Sequence, residues 1–240
     1  MSVLAPPEDV ASPGGPDAAP PSSPPSPTTI ERLRVPPMTD RLAGWLVTLA
    51  VTAIAFVLRV VHLGRPNALI FDETYYAKDA YSLLRFGYER SWPEDANSKI
   101  VAGNPDVALN TASFIVHPQI GKWIIALGEH LFGMTSVGWR VGPLVVGTLL
   151  VLVLTRLVRR VSRSTLVGGL AGLLLAFDGL AFVMSRVALL DIFVAFFLLA
   201  AVACLAADRD WFRNRLARHL ERSGLQDLGG RFGPGLVVRP

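Results

Sequence analysis

The chain has 240 residues, of which 51% are hydrophobic and only 18% charged, with a mean hydropathy of +0.43; a soluble domain carries about a quarter charged residues, so the composition belongs to a membrane protein. The formal net charge of +4 would suit nucleic acid, but most basic residues flank apolar runs in the positive-inside pattern, so nucleic acid is set aside as a partner. The single cysteine, Cys204, lies inside an apolar run, which excludes an intrachain disulfide and says nothing of the compartment.

Residues 1–40 are dominated by Pro, Ser, Ala and Asp and contain no apolar stretch resembling a cleavable signal. Such a segment buries too little to offset the entropy of ordering, so a disordered tail is expected, kept in the cytoplasm by Arg32, Arg34 and Arg41. A first membrane span is expected at 42–61, with Arg59 and His62 at its outer end. Arg59 is expected to snorkel to the interface, with an anionic head group as the alternative partner.

The outer loop, 64–136, is too polar to cross and too long for a simple connector. It opens on Asp72 and Glu73, adjacent acids at a water-lipid boundary, where burial and repulsion tune carboxyl groups for proton abstraction or cation binding. The plainer alternative is a helix start, with Asp72 as N-cap and Glu73 in the first turn. An amphipathic helix follows, with Tyr76, Ala80, Leu83 and Leu84 on one face and Lys78, Ser82 and Arg85 off it. After an irregular middle, Pro118 opens a second helix bearing Ile120, Ile124, Leu127 and Leu131 on one side, expected to lie flat on the membrane with Trp123 at the interface.

Three further spans are expected at 137–158, 165–184 and 187–207. Arg140 sits at the outer end of the first. Asp178 lies within the next, Ser185-Arg186 makes the turn and Asp191 begins the last; charged groups this close to a bilayer point to function, or to acids that neutralise Arg186. Arg156, Arg159, Arg160 and Arg163 mark the cytoplasmic side, as do the seven arginines of residues 208–240, in which a short surface helix is expected at 213–221. The fold class expected is thus an all-α membrane protein with about four transmembrane helices, amphipathic juxtamembrane helices in the outer loop and both termini cytoplasmic. On that topology Asp72, Glu73, His117, Lys122, Arg140, Asp178, Arg186 and Asp191 gather near one leaflet. Acids for a hydroxyl and cations for a phosphate suit group transfer from a lipid-linked donor.

The series Phe71-Asp72-Glu73, His117-Pro118-Gln119-Ile120-Gly121-Lys122, Trp139-Arg140 and Ser185-Arg186-Val187-Ala188-Leu189-Leu190-Asp191 resembles the N-terminal part of protein O-mannosyltransferases, multi-pass enzymes of the GT-C fold. The resemblance covers residues 45–208, and the Pro-rich tail and Ala/Arg-rich composition look actinobacterial. It implies mannose transfer, with inversion, from polyprenyl-phosphate-mannose to Ser or Thr of secreted proteins at the outer face of the cell membrane, near the secretion translocon. It implies Asp72 as catalytic base with Glu73 beside it, and Arg140, Arg186, Asp191, His117 and Lys122 at the donor or its phosphate, with Asp178 joining them on its depth in the membrane. Gln119 departs from the family, which has a second proline there. No metal ligands are assigned, and a divalent cation between Asp72 and Glu73 stays an open alternative. Family members carry many more spans, so an N-terminal fragment is expected, with its activity by itself left open. The rival readings are a GT-C enzyme moving another sugar, such as aminoarabinose, onto lipid, and a non-enzymatic membrane subunit or transporter fragment.

Overall fold

The computed structural model describes residues 27–224, and the expectations for 1–26 and 225–240 lie outside them. All regular elements described are helices, beside an isolated β-bridge between Arg90 and Ala112. The chain divides into two units, each described by itself. In the smaller, α1 (Thr29–Leu33) is opened by a capping box in which Thr28 and Glu31 exchange hydrogen bonds, and the Arg34 Nε donates to Glu221 at 3.0 Å.

The larger unit, residues 35–213, holds the apolar helices. Of these α2 (Arg41–Val60), α6 (Ser136–Ser162) and α9 (Asp191–Arg222) are long and apolar enough to cross a membrane. At about 1.5 Å per residue, α2 reaches the roughly 30 Å of a hydrocarbon core. The remaining expected span is not one helix. It consists of α7 (Thr165–Phe177) and α8 (Gly179–Met184), broken at Asp178, whose backbone is extended and whose carboxylate accepts from the Ala181 N–H at 2.7 Å as the N-cap of α8. Residues 185–190 then form turns, so α9 starts at Asp191 rather than 187, and it runs unbroken to Arg222 with no separate surface helix at 213–221.

The hub is α6, which packs against α2, α5 and α7 and has half of its apolar window buried, against 11% for α9. Close approach of α6 and α7 depends on small residues, as helix pairs in lipid require: a Cβ on Gly172 would stand 2.0 Å from the Thr155 hydroxyl oxygen. At one end of this bundle Asp40 pairs with Arg159 at 2.7 Å, and Asp210 gathers Arg160, Arg163 and Arg209 at 3.2–3.3 Å. The dense arginine cluster and the start of the Arg-rich segment therefore share an end.

At the opposite end lie the helices of the segment expected as the outer loop, α3 (Glu73–Phe86), α4 (Ala96–Val101) and α5 (Ile120–Phe132). The inner face of α5 carries Lys122 and Glu129 among Gly121, Ile125, Ala126 and Gly128. Its outward face presents Ile120, Trp123, Leu127 and Leu131, each about half exposed or more. That inversion, polar inside and apolar outside, fits a helix whose outer surroundings are lipid. In α3 the expected inner residues Ala80 and Leu83 are buried, but Ser82, expected to face away, is buried as well and accepts from Trp92 Nε1 at 3.2 Å.

Candidate active site

The neighbouring acids of the outer loop part ways. Phe71 holds a left-handed backbone (φ 54°) that turns the chain sharply into α3, and the next two residues project to different sides because successive helical positions lie about 100° apart. Glu73 points inward and is fully buried. Its carboxylate accepts from Arg140 Nε at 2.7 Å and Nη2 at 2.8 Å, and from the backbone N–H groups of Ile70 at 3.0 Å and Ala188 at 3.1 Å. Arg140 spends its three other N–H bonds on the carbonyls of Leu63, Pro66 and Ala68 at 3.0–3.1 Å. With all five donors engaged, Arg140 has none left for a phosphate. The pair instead ties the outer loop, α6 and the turn before α9 into one piece, and a cation bridging Asp72 and Glu73 would have to displace the arginine.

Asp72 is half-buried and makes no capping bond to α3, so its carboxylate is not consumed by the helix start. It stands close to Tyr76, whose hydroxyl is pushed up from its ordinary value by burial and then by the charges of Asp72 and Asp191, with Lys122 opposing. Asp191, exposed at the first position of α9, thus acts on the same hydroxyl as Asp72 through its charge. His117, also exposed, meets the Tyr76 ring edge-on with centroids 5.7 Å apart.

Lys122 is withdrawn from any ligand. It is fully buried between Asp79 at 2.9 Å and Glu89 at 2.8 Å. Burial would lower its ammonium, but the hydrogen bonds and charges of Glu89 and Asp79 hold it above its ordinary value, while burial leaves Asp79 raised against the pull of Lys122. Asp178 is exposed and serves as the cap of α8. Arg186 behaves differently from Arg140: half-buried, it donates to the Val61 carbonyl at 2.8 Å and lies over the Phe182 ring at 4.9 Å. No described carboxylate pairs with it, so the rest of its fork is unclaimed. Among the described residues no three His, Cys, Asp or Glu side chains gather as metal ligands.

A family profile described as "Dolichyl-phosphate-mannose-protein mannosyltransferase" matches residues 49–218, which contain every residue named above from Leu63 to Asp191. The chain belongs to that mannosyltransferase family. Among its relatives are proteins named polyprenol-phosphate-mannose–protein mannosyltransferase from Mycolicibacterium smegmatis (strain MKD8), 42% identical over 83% of this chain and 36% of the relative, and from Mycobacterium tuberculosis (strain CDC 1551), 41% identical over 83% and 35%. One of the same name from Corynebacterium glutamicum is 36% identical over 78% of this chain and 35% of its own length. The chain therefore spans about a third of the curated relatives it matches. No solved structure matches it. The family's mannosyltransferase members are glycosyltransferases, and the apolar helices agree with a membrane enzyme family.

Three residues acquire roles that sequence reading did not provide. Arg59, expected at the interface, is 1% exposed and donates from Nε to the Ser185 hydroxyl at 2.8 Å. Glu89 completes the Lys122 cluster from an irregular segment with no periodic signal. Glu129 is 3% exposed, both its oxygens lack a partner among the described residues, and burial raises it well above its ordinary value. The available signal for Arg59 was a charge two residues inside the end of an apolar run; for Glu129 it was an acid on the same helical face as Lys122 and Ile125.

Proposed function

We propose that this chain supplies the catalytic loop and part of the donor site of an enzyme that moves mannose from a polyprenyl monophosphate to Ser or Thr hydroxyls of secreted proteins. Asp72 acts as base: it takes the proton of the acceptor hydroxyl as the oxygen attacks the anomeric carbon. The carbon-oxygen bond to phosphate breaks, and the lipid phosphate leaves with the electron pair, a single displacement with inversion. Arg186, rather than Arg140, meets that phosphate through its unclaimed N–H groups. Glu73, Arg140 and Lys122 hold the frame, while His117 and Asp191 border the substrate and Asp178 stays peripheral as a helix cap.

The observation that carries this reading is the division between the adjacent acids. Glu73 is saturated by Arg140 and two backbone N–H groups, whereas the Asp72 carboxylate makes no capping bond, takes no hydrogen bond among the described residues, and with Asp191 raises the Tyr76 hydroxyl by its charge. The arginine clusters at the other end support a site on the outer face of the cell membrane, with both ends of this chain cytoplasmic. Acceptors would then be met as they emerge from the secretion translocon, and membrane lipids would border α5 and α9. A divalent cation is not needed for the step as written.

The decisive test offers membranes containing the whole protein two donors, radiolabelled polyprenyl-phosphate-mannose with a Ser/Thr-rich peptide, and the aminoarabinose lipid phosphate with a lipid acceptor. Label in the peptide from the mannose donor is expected. Transfer confined to the lipid acceptor would replace this reading with the other glycosyltransferase class.

A further inference from the structure

Arg59 is a buried cation without a counter-charge among the described residues. It lies in the last turn of α2, is 1% exposed, and no described carboxylate is within ion-pair distance of it. Burying an isolated guanidinium is costly unless its N–H groups are taken up, so their partners show what it is kept for. Nε donates to the Ser185 hydroxyl at 2.8 Å, and Nη1 to the carbonyls of Ala55 at 3.2 Å and Ala176 at 3.3 Å.

Ala55 lies one turn back on α2 itself, and the other two partners bracket α8, with Ala176 at its break from α7 and Ser185 at its far end. Because α7 ends at Phe177, the Ala176 carbonyl has lost the helical N–H that would have bonded it. Arg59 supplies the missing donor, as Asp178 supplies the missing acceptor for α8 on the other side of the break. The third Arg59 partner, Ser185, caps the far end of α8 and donates to the Phe182 carbonyl at 2.9 Å. Ser185 is also confined by α6, where a Cβ on Gly147 would come within 2.2 Å of its own. The next residue is Arg186, held at 2.8 Å by Val61, two positions beyond Arg59 on the same segment.

We infer that Arg59 is a positioning residue: by bonding Ser185 and the orphan Ala176 carbonyl together it fixes the α8 turn so that the unclaimed N–H groups of Arg186 face the lipid phosphate. This rests on the assignment of Arg186 to that phosphate. A forked guanidinium is required, because a lysine offers one point of contact where three acceptors in different directions must be met. Arg59 does not touch the ligand, so its effect passes through Arg186.

Binding of farnesyl monophosphate to the whole chain in lipid nanodiscs tests the inference. Loss of a charge-assisted hydrogen bond is worth about ten- to a hundredfold in affinity, so Arg186→Gln is expected to weaken binding by that much, and Arg59→Gln by a comparable factor. Arg59→Lys should fall between Arg59→Gln and the native chain, and the double variant Arg59→Gln/Arg186→Gln should bind no more weakly than Arg186→Gln alone. Hydrogen exchange at residues 185–190 should quicken in Arg59→Gln. If Arg59→Gln does not fold, Ser185→Ala, which removes only the Nε acceptor, carries the test and should both weaken binding and quicken that exchange. Native affinity in the Arg59 or Ser185 variant, or losses that multiply in the double variant, overturns the inference. Native affinity in Arg186→Gln alone would instead overturn the phosphate assignment.

Discussion

Removing one member of the Glu73–Arg140 pair should unfasten the outer loop, and the loss can be worked from its bonds. Glu73→Ala deletes an acceptor of four hydrogen bonds and leaves the Arg140 guanidinium, 1% exposed, with only three carbonyls. Breaking a buried pair from one side costs about 3–5 kcal/mol, because the charge left behind stays desolvated. Arg140→Met should cost a similar amount, since it strands the carboxylate and frees the Leu63, Pro66 and Ala68 carbonyls. The double variant should cost well under the sum, with a coupling of about 2 kcal/mol or more, as expected of groups in one network. Reversible unfolding in detergent provides the cycle, and hydrogen exchange localises it, with protection lost at 61–75 and 185–190 and kept in α2 and the middle of α6. Single variants that abolish mannose transfer yet unfold and exchange as the native chain does would refute the reasoning, for the pair would then act in the chemistry and not as a fastening.

Lys122→Met should be destabilising by about 3–5 kcal/mol at neutral pH, because Asp79 and Glu89 lose the cation between them, and part of the loss should return on acidification as Asp79, already raised by burial, takes up a proton; thermal unfolding from pH 5 to 8 checks it, and a pH-independent loss would contradict it. Glu129→Gln should stabilise. An acid whose folded value is raised loses stability as pH climbs from its unfolded value towards the folded one, by about 1.4 kcal/mol per pH unit over that interval, so the variant's advantage should be present at pH 8 and vanish near pH 4. A Glu129→Gln chain less stable than the native one at every pH would show that the carboxylate has a partner. Gly147→Ala should cost about 1–3 kcal/mol by overpacking against Ser185, where the added carbon would stand 2.2 Å from the serine Cβ, with exchange at 185–190 as the local readout.

The long spans were legible because they depend on composition alone: the runs at 42–61 and 137–158 emerge as α2 and α6, within a few residues at each end. The break at Asp178 was not, because the chain there reads as one apolar run, and what interrupts it is a carboxylate that caps α8 and an arginine from another helix that takes the freed carbonyl. Of the motifs expected to form the site, the two most distant in sequence are joined by the bond from the Ala188 N–H to Glu73. Its internal division was hidden. Nothing in the order Asp72-Glu73 says which acid turns inward, since that depends on the left-handed Phe71 and on where Arg140 lies. Arg140 and Lys122 read as phosphate ligands by charge, but their partners are buried acids supplied by other segments.

Transfer by the Asp72→Asn variant of the whole protein, measured with the binding of farnesyl monophosphate in the same membranes, tests the central claim most directly. Loss of a general base predicts a rate lower by about a hundred- to ten-thousandfold with phosphate binding undiminished, because the Asp72 carboxylate makes no capping bond to α3 and the change leaves its backbone bonds to Tyr75 and Tyr76 in place. Mannose transfer at the native rate would contradict the account and remove Asp72 as the base.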